Sequence, residues 1–269
     1  MTKLAIIGGG NMGEALLAGL LAGTEPRFTA AEVVVVELAG ERAAYLRERY
    51  GVATTAEAGP AIRAAETVLL TVKPYHVDDL FAAVADDVND DQLFVSAVGG
   101  VRTSRLEALL PGKSPVVRCM PNTPVSVGRG VVAISAGTHA GEAELDYAQS
   151  LFEPVGKVVR VEESRMDAIT ALSGSGPAYY FFLTEALIEA GILLGLPRPL
   201  AEELVKANAA GAAEMLQVPD ADAVRMRAAV TSPGGATIAA IRQFEERGVR
   251  AAVMAAIEAA RDRAAEMGR

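Results

Sequence analysis

The strongest constraint on the fold is a glycine-rich turn between a short apolar run and a helical pattern near the N-terminus. Leu4–Ile7 is a continuous aliphatic run, and residues 8–13 read Gly-Gly-Gly-Asn-Met-Gly, which contains G-x-G-x-x-G. In a strand–turn–helix unit, Gly8 permits a tight turn, Gly10 lets the backbone approach a pyrophosphate, and Gly13 lets the helix pack closely on the strand. The alternative is a glycine turn that binds nothing. We predict a dinucleotide site whose helix N-terminus also includes Asn11 and Met12.

The pattern of apolar and polar residues changes near Glu163. Before it, short β-rich runs alternate with helical patterns, which predicts right-handed crossovers and a mostly parallel sheet. After it, Ala, Leu, Glu and Arg recur at helical spacing without a convincing strand. We therefore predict an α/β domain over residues 1–163 and an all-α domain over 164–269. The predicted strands are Leu4–Ile7, Val33–Glu37, Thr67–Val72, Leu93–Val98, Val116–Met120, Val131–Ser135 and Lys157–Val161. The predicted helices include Gly13–Ala22, Glu41–Tyr50, Met166–Leu194, Pro199–Leu216, Ala221–Ala229, Ala236–Glu246 and Gly248–Met267.

Composition excludes several classes of function. The 269-residue chain has a net charge of −9, so it lacks the basic excess that nucleic-acid binding requires. One cysteine, Cys119, rules out an internal disulfide framework, and two histidines leave little material for a metal site, so we predict no metal. The N-terminus shows no targeting signal, and Glu185 and Glu189 interrupt the longest apolar segment. We expect a soluble cytoplasmic protein without a membrane span.

The end of the second predicted strand bears on the cofactor. Glu37 lies 24 positions after Gly13, where an acidic residue can bind the ribose hydroxyls of NAD and repel the 2′-phosphate of NADP. The alternative is a solvated carboxylate at a strand end. Because Arg42 and the intervening loop can still accommodate a phosphate, both NADPH and NADH remain open.

Three further loops follow predicted strands and are candidates for cofactor contact, because ligands of open α/β sheets lie beyond the carboxyl ends of the strands. An ordinary turn is the alternative for each, and Lys73 can be a solvated charge. Asn122 is held between two prolines, which stiffen the backbone around it. The candidate residues in these loops are Thr71, Val72, Lys73, Pro74, Ala97, Val98, Gly99 and Asn122.

Two peptides of the helical half are unusual. Residues 172–179 read Leu-Ser-Gly-Ser-Gly-Pro-Ala-Tyr, which indicates a helix boundary or close backbone packing, since Gly and Pro are costly inside a helix. Residues 231–237 read Thr-Ser-Pro-Gly-Gly-Ala-Thr before a helical pattern. That composition is typical of a carboxylate-binding turn at a helix N-terminus, or of a plain capped turn between helices.

Five consecutive large apolar residues, 179–183, cannot all face one small core. They indicate either a helix that is buried on all sides or a subunit interface. We favour the interface.

Taken together, these peptides resemble the pyrroline-5-carboxylate reductase family. The resemblance rests on residues 7–13, 72–74, 118–124, 172–179 and 232–237, which occur in the family's order and span nearly the whole chain. It implies a Rossmann-like domain followed by an all-α dimerisation domain, whose intertwined dimers often assemble into a decamer. The implied activity is hydride transfer from NADPH or NADH to the C=N bond of (S)-1-pyrroline-5-carboxylate, which gives L-proline.

The resemblance also implies roles for individual residues. The loop at residues 232–237 would hold the substrate carboxylate, and Thr237 would hydrogen-bond the ring nitrogen and is the candidate catalytic residue. Glu163 would help to orient the substrate loop. The implied substrate-binding residues are Glu163, Ser232, Gly234, Gly235, Ala236 and Thr237.

The chain also departs from the family's pattern. Glu37 stands where many relatives carry small or hydroxyl residues, Tyr75 separates Pro74 from His76, and Ala229 replaces an Asn near the cofactor in some relatives. Two alternatives remain: a reductase of the β-hydroxyacid or ketopantoate type, for which the Lys-to-Asn spacing is not met at Lys206, and a sensor that binds NAD(P)H without turnover.

Overall fold

The computed structural model describes residues 2–23, 26–90 and 92–267, so residues 1, 24, 25, 91, 268 and 269 of the predicted domains lie outside the description. The chain forms two compact units. One contains the sequence up to Ser175 together with the end of the last helix from Ala260, and the other is Gly176–Ala259.

The first unit is built on an eight-stranded sheet in the order β3-β2-β1-β4-β5-β6-β7-β8. All neighbouring strands are parallel except β6 and β7, which pair antiparallel. This order places β1 inside the sheet, between β2 and β4, and the turn after β1 opens at the carboxyl edge of the sheet. The strands are β1 Leu4–Ile7, β2 Val33–Val36, β3 Ala53–Thr55, β4 Thr67–Leu70, β5 Leu93–Ser96, β6 Val116–Met120, β7 Gly130–Ala136 and β8 Gly156–Arg160.

All seven predicted strands are present, and the mostly parallel sheet is confirmed. β3 was missed because it is only three residues long and lies at the sheet edge, without a buried apolar run. The strands predicted as Val33–Glu37, Thr67–Val72 and Leu93–Val98 each end one or two residues early. The candidate residues at their ends therefore lie in loops, where backbone groups are available to a ligand.

Helices cover the sheet and bury two aliphatic clusters. Successive side chains of a strand point to opposite faces of the sheet, so each cluster takes every second strand residue. Helix α1 begins at Asn11, two residues before the predicted start. The last three residues of the glycine-rich turn, 11–13, therefore belong to the helix. The helices of this unit are α1 Asn11–Leu20, α2 Gly40–Tyr50, α3 Ala58–Ala64, α4 Val77–Val84, α5 Thr103–Leu109, α6 Glu142–Phe152 and α7 Met166–Ile169.

The prediction of one continuous helix over Met166–Leu194 is wrong. After α7, residues Thr170–Gly174 form a π-turn closed by the Ser175 N–H on the Thr170 carbonyl at 2.9 Å, and a new helix begins at Gly176. Pro177 is thus the second residue of that helix, where its missing N–H has no intrahelical acceptor to lose. The Gly-Pro peptide marks a helix boundary and avoids the cost of an interior proline.

The second unit is helical, and no strand follows Arg160 within the described part of the chain. In α8, the consecutive aromatic side chains Tyr180, Phe181 and Phe182 are 72%, 67% and 74% exposed. The reading of α8 as a helix buried within its own chain is therefore wrong. The helices are α8 Gly176–Leu193, α9 Arg198–Leu216, α10 Ala223–Ala229, α11 Ala236–Glu246 and α12 Val249–Met267, the last of which runs into the first unit. Across the described residues, no helix combines the length and apolarity needed to cross a membrane.

Candidate active site

The turn between β1 and α1 has three glycines with different constraints. Gly8 has φ +105°, and a Cβ there would lie 3.1 Å from the Thr71 carbonyl. A Cβ on Gly13 would lie 2.1 Å from the Gly8 carbonyl oxygen, which no side chain can tolerate. A Cβ on Gly10, in contrast, would meet no protein atom within 4 Å. Gly8 and Gly13 are therefore required by the fold, whereas the space beside Gly10 is open to a ligand.

The N-terminus of helix α1 lies beside that open space. Gly10 is the N-cap residue, with φ −67° and ψ −170°, and no side chain caps the helix. The first intrahelical bond runs from the Glu14 N–H to the Gly10 carbonyl at 2.8 Å. The N–H groups of Asn11, Met12 and Gly13 thus have no acceptor within the helix, an arrangement that suits a phosphate group.

A cavity of about 710 Å³ lies along the carboxyl ends of β1, β2 and β4. The turn glycines and the residue that follows β2 form one wall of it. Six predicted cofactor residues line the cavity: Gly8, Gly10, Glu37, Thr71, Val72 and Lys73. The predicted residues Asn11, Met12, Gly13, Pro74, Ala97, Val98, Gly99 and Asn122 are not part of its lining.

The loops after β4 and β5 are held by the sheet itself. The Thr71 hydroxyl donates to the Gly8 carbonyl at 2.6 Å and so closes the glycine turn. Pro74 opens a short 3₁₀ turn with exposed Lys73 before it. The Val98 side chain is buried in the core, so only its backbone can face a ligand, while Ala97 and Gly99 are partly exposed.

Glu37 is fixed by two backbone amides. Its Oε2 accepts from the Gly9 N–H at 3.0 Å, and its Oε1 accepts from the Ala39 N–H at 2.9 Å. On the other side of the turn, Arg42 Nε donates to the Gly9 carbonyl at 2.7 Å, and its Nη2 pairs with Glu14. Both peptide groups of Gly9 are therefore held by charged side chains, one of each sign.

Glu14 anchors that arrangement. Its Oε1 accepts from Tyr50 at 2.8 Å and from Tyr45 at 3.0 Å, while its Oε2 meets Arg42. Burial raises the pKa of Glu14, but the hydrogen bonds from Tyr50, Arg42 and Tyr45 outweigh it and hold the pKa below its ordinary value. Glu14 therefore stays ionised at neutral pH and keeps Arg42 in place.

Glu163 bonds to groups of its own unit. Its Oε1 accepts from the Thr103 N–H at 2.8 Å and from Arg118 Nη1 at 3.2 Å, and its Oε2 accepts from the Thr103 hydroxyl at 2.9 Å. Arg118 is only 2% exposed, and its Nε and Nη2 have no hydrogen-bond partner, although Nη2 lies 3.9 Å from Asp167. Glu163 is thus the closest counter-charge of a buried guanidinium and also caps the N-terminus of α5.

Asn122 is also engaged within the protein. Its side-chain oxygen accepts from the Val131 N–H at 2.8 Å, and its amide nitrogen donates to the Ser173 carbonyl at 3.2 Å. This amide ties the end of β6 to β7 and to the π-turn. Burial raises the pKa of the neighbouring Cys119 thiol above its ordinary range, so it is a protonated core residue. The described residues contain no cluster of three or more His, Cys, Asp or Glu that could hold a metal ion.

In the second unit, residues 232–237 form a tight turn into α11. The Gly235 N–H donates to the Ser232 carbonyl at 3.1 Å, and Gly234 has φ +70°. A Cβ on Gly235 would lie 2.5 Å from the Ser232 hydroxyl oxygen, so a side chain there would require that hydroxyl to rotate away. Gly235 is the N-cap of α11 without a capping side chain, which leaves the N–H groups of Ala236 and Thr237 free for an anion. Thr237 is exposed.

Sequence reasoning missed one wall of the cavity. Residues 56–60, between β3 and α3, and side chains near α4, including His76 and Asp79, also line it. The position of residues 56–60 depends on β3, the strand that was not predicted. A prediction of β3 from the residues after Gly51, the left-handed C-cap of α2, would have revealed them.

A mostly parallel sheet with a glycine turn, an uncapped helix N-terminus and an adjacent cavity is typical of dinucleotide-binding proteins. Residues 3–100 match a family model described as NADP oxidoreductase, coenzyme F420-dependent, and residues 163–267 match one described as pyrroline-5-carboxylate reductase dimerisation. Pyrroline-5-carboxylate reductase from Mycobacterium tuberculosis is 42% identical over 99% of this chain and 97% of its own length. The chain belongs to the pyrroline-5-carboxylate reductase family.

Solved structures agree with this assignment. A pyrroline-5-carboxylate reductase from Coxiella burnetii is 34% identical with a TM-score of 0.88, covering 100% of this chain and 99% of its own. The Plasmodium falciparum pyrroline carboxylate reductase, solved with NADP bound, is 26% identical with a TM-score of 0.90, covering 100% and 98%. The predictions of family, fold class and nicotinamide cofactor are confirmed.

Proposed function

We propose that this protein reduces (S)-1-pyrroline-5-carboxylate to L-proline with NAD(P)H, using the α1 turn for the cofactor and the α11 turn for the substrate. The full-length similarity to reductases of that name carries the proposal. The two uncapped helix N-termini support it, since the reaction needs one site for a pyrophosphate and one for a carboxylate.

The cofactor fits the residues around the glycine turn. The open space beside Gly10 and the free N–H groups of α1 would hold the pyrophosphate, and the loops after β4 and β5 would lie along the remainder. Bound NAD(P)H supplies the hydride. We assign Thr71 to closing the turn and Asn122 to positioning the loop after β6, because their polar groups already bond to protein.

The substrate carboxylate would be held by the free backbone N–H groups of Ala236 and Thr237 together with the Ser232 hydroxyl. Gly234 provides the left-handed turn that allows these groups to converge. Glu163 would act on the substrate side by holding the α5 terminus, because it accepts from the N–H and from the hydroxyl of Thr103.

The chemistry then needs little from the protein beyond positioning. A protonated imine accepts hydride at its carbon, the π electrons move to nitrogen, and the resulting amine takes its second proton from solvent. The Thr237 hydroxyl would accept the N–H of the protonated imine and so fix the ring nitrogen. Orientation of donor and acceptor supplies most of the acceleration, which reaches about 7–11 kcal/mol in well-oriented systems.

Replacement of Thr237 by Ala is expected to lower kcat/KM about 10- to 100-fold, because it removes one hydrogen bond to the reacting nitrogen at a cost of about 1.5–3 kcal/mol. Thr237→Ser, which keeps the hydroxyl, should recover most of the loss. The measurement is steady-state NAD(P)H oxidation with pyrroline-5-carboxylate. Equal rates for Thr237→Ala and the unmodified chain would remove Thr237 from the mechanism.

The helical half would mediate self-association. Its exposed apolar side chains include Phe181, Phe182, Leu193 and Leu194, the last two 87% and 83% exposed, and such a surface favours burial against a second copy. We propose a dimer that can assemble into a decamer in the cytoplasm. Sedimentation at micromolar concentration should give multiples of the 27.9 kDa chain, and a monomer at all concentrations would contradict this.

A further inference from the structure

The carboxylate that follows β2 is preorganised to meet a ribose. Glu37 lines the cavity, and each of its oxygens accepts one backbone N–H, from Gly9 at 3.0 Å and from Ala39 at 2.9 Å. A carboxylate oxygen has two lone pairs, so each oxygen can still accept a hydroxyl. In this fold the position after β2 lies beside the adenosine ribose.

The guanidinium of Arg42, which contacts Gly9 as Glu37 does, is held by other groups of the protein. Arg42 donates to the Gly9 carbonyl at 2.7 Å, pairs with Glu14, and lies with its guanidinium carbon 5.1 Å from the centre of the Tyr45 ring. Glu14 is itself fixed by Tyr45 and Tyr50. Arg42 therefore has three contacts to lose before it can turn toward a phosphate.

The other charged residues of the cavity do not offset the negative charge of Glu37. Its lining contains Glu37, Glu57 and Asp79, a further carboxylate, Asp87, that is paired with Arg63, and the cation Lys73. His76 also lines it. A 2′-phosphate, which adds up to two negative charges, would enter a site with an excess of carboxylates, and like-charge contact opposes binding.

We propose that this chain prefers NADH to NADPH, with Glu37 as the residue that selects the 2′-hydroxyl and Glu14 as the positioning residue that withholds Arg42 from a 2′-phosphate. The inference rests on the proposed function, because it concerns the cofactor of that same reaction. It separates this chain from the relative solved with NADP bound.

The test compares kcat/KM and calorimetric affinity for NADH and NADPH across four forms of the full chain. They are the unmodified protein, Glu37→Gln, Glu37→Gln with Glu14→Gln, and the control Glu41→Gln. Glu37→Gln removes the charge but keeps an acceptor for the Gly9 N–H. The control Glu41→Gln makes the same chemical change at an exposed position in the first turn of α2.

We expect the unmodified chain and Glu41→Gln to favour NADH by about tenfold or more, which corresponds to about 1.4 kcal/mol. Glu37→Gln should remove most of that ratio, and the double variant should bind NADPH more tightly than Glu37→Gln because Arg42 is released. A preference of the unmodified chain for NADPH, or an unchanged ratio in Glu37→Gln, would overturn the inference. A double variant identical to Glu37→Gln would overturn the role of Glu14.

Calorimetry separates this inference from the proposed reaction. Tighter binding of NADH than of NADPH, without turnover of pyrroline-5-carboxylate, would support the cofactor inference while refuting the proposed function. Turnover with an NADPH preference would do the reverse.

Discussion

Replacement of Gly10 by Val abolishes nicotinamide cofactor binding and leaves the fold intact: this is the expected result. The Gly10 backbone is extended, with φ −67° and ψ −170°, a conformation that valine adopts readily. A Cβ there meets no protein atom within 4 Å, so the added methyl groups occupy only the space proposed for the pyrophosphate. We expect Kd to rise at least about 100-fold, or about 3 kcal/mol.

Two other glycines provide matched controls for that experiment. Gly40→Val adds the same volume at an exposed position with nothing within 4 Å, and it should leave cofactor affinity unchanged. Gly13→Ala places a Cβ 2.1 Å from the Gly8 carbonyl oxygen and should prevent correct folding. Calorimetric titration with NADH and thermal unfolding report the two effects separately. Undiminished affinity in folded Gly10→Val would refute the proposed pyrophosphate site.

Loss of the Glu163 carboxylate is expected to destabilise the protein strongly. Glu163→Leu leaves Arg118, which is 2% exposed, with only Asp167 at 3.9 Å, and it removes the acceptor of the Thr103 N–H and hydroxyl. Removal of one partner from a buried ion pair costs about 3–5 kcal/mol, because the other charge stays buried. Denaturant unfolding at fixed protein concentration measures this change.

The double variant Glu163→Leu with Arg118→Met should regain most of that stability, since an apolar pair of similar volume can replace a buried ion pair. Glu162→Leu is the control, because the preceding side chain is exposed and its loss should change stability by at most about 0.5 kcal/mol. A Glu163→Leu protein as stable as Glu162→Leu would show that the contacts to Arg118 and Thr103 contribute nothing to stability.

The sequence was sufficient for features whose signal is local. The glycine turn at Gly8 and Gly13 has residue requirements that act within a few positions, and buried parallel strands appear as continuous aliphatic runs. The short edge strand Ala53–Thr55 has no such run, so the cavity wall at residues 56–60 could not be predicted from the sequence. The break at Ser175 was recognised as unusual but not as the end of a π-turn.

Features that join distant residues were not accessible from the sequence. Glu14 meets Arg42 across 28 positions, and Glu163 meets Thr103 across 60 and Arg118 across 45. No periodic pattern encodes such pairs, because they depend on which strands are neighbours in the sheet. From the sequence we therefore predicted Glu37 and Glu163 as ligand contacts, but we could not predict the protein groups to which they are hydrogen-bonded.

The most direct test of the central claim is oxidation of NADH and NADPH by the purified chain in the presence and absence of (S)-1-pyrroline-5-carboxylate. The account predicts oxidation that requires the imine, yields L-proline in equal amount and falls when Thr237 is replaced by Ala. A folded protein that binds the cofactor but oxidises neither form with this imine would contradict the account.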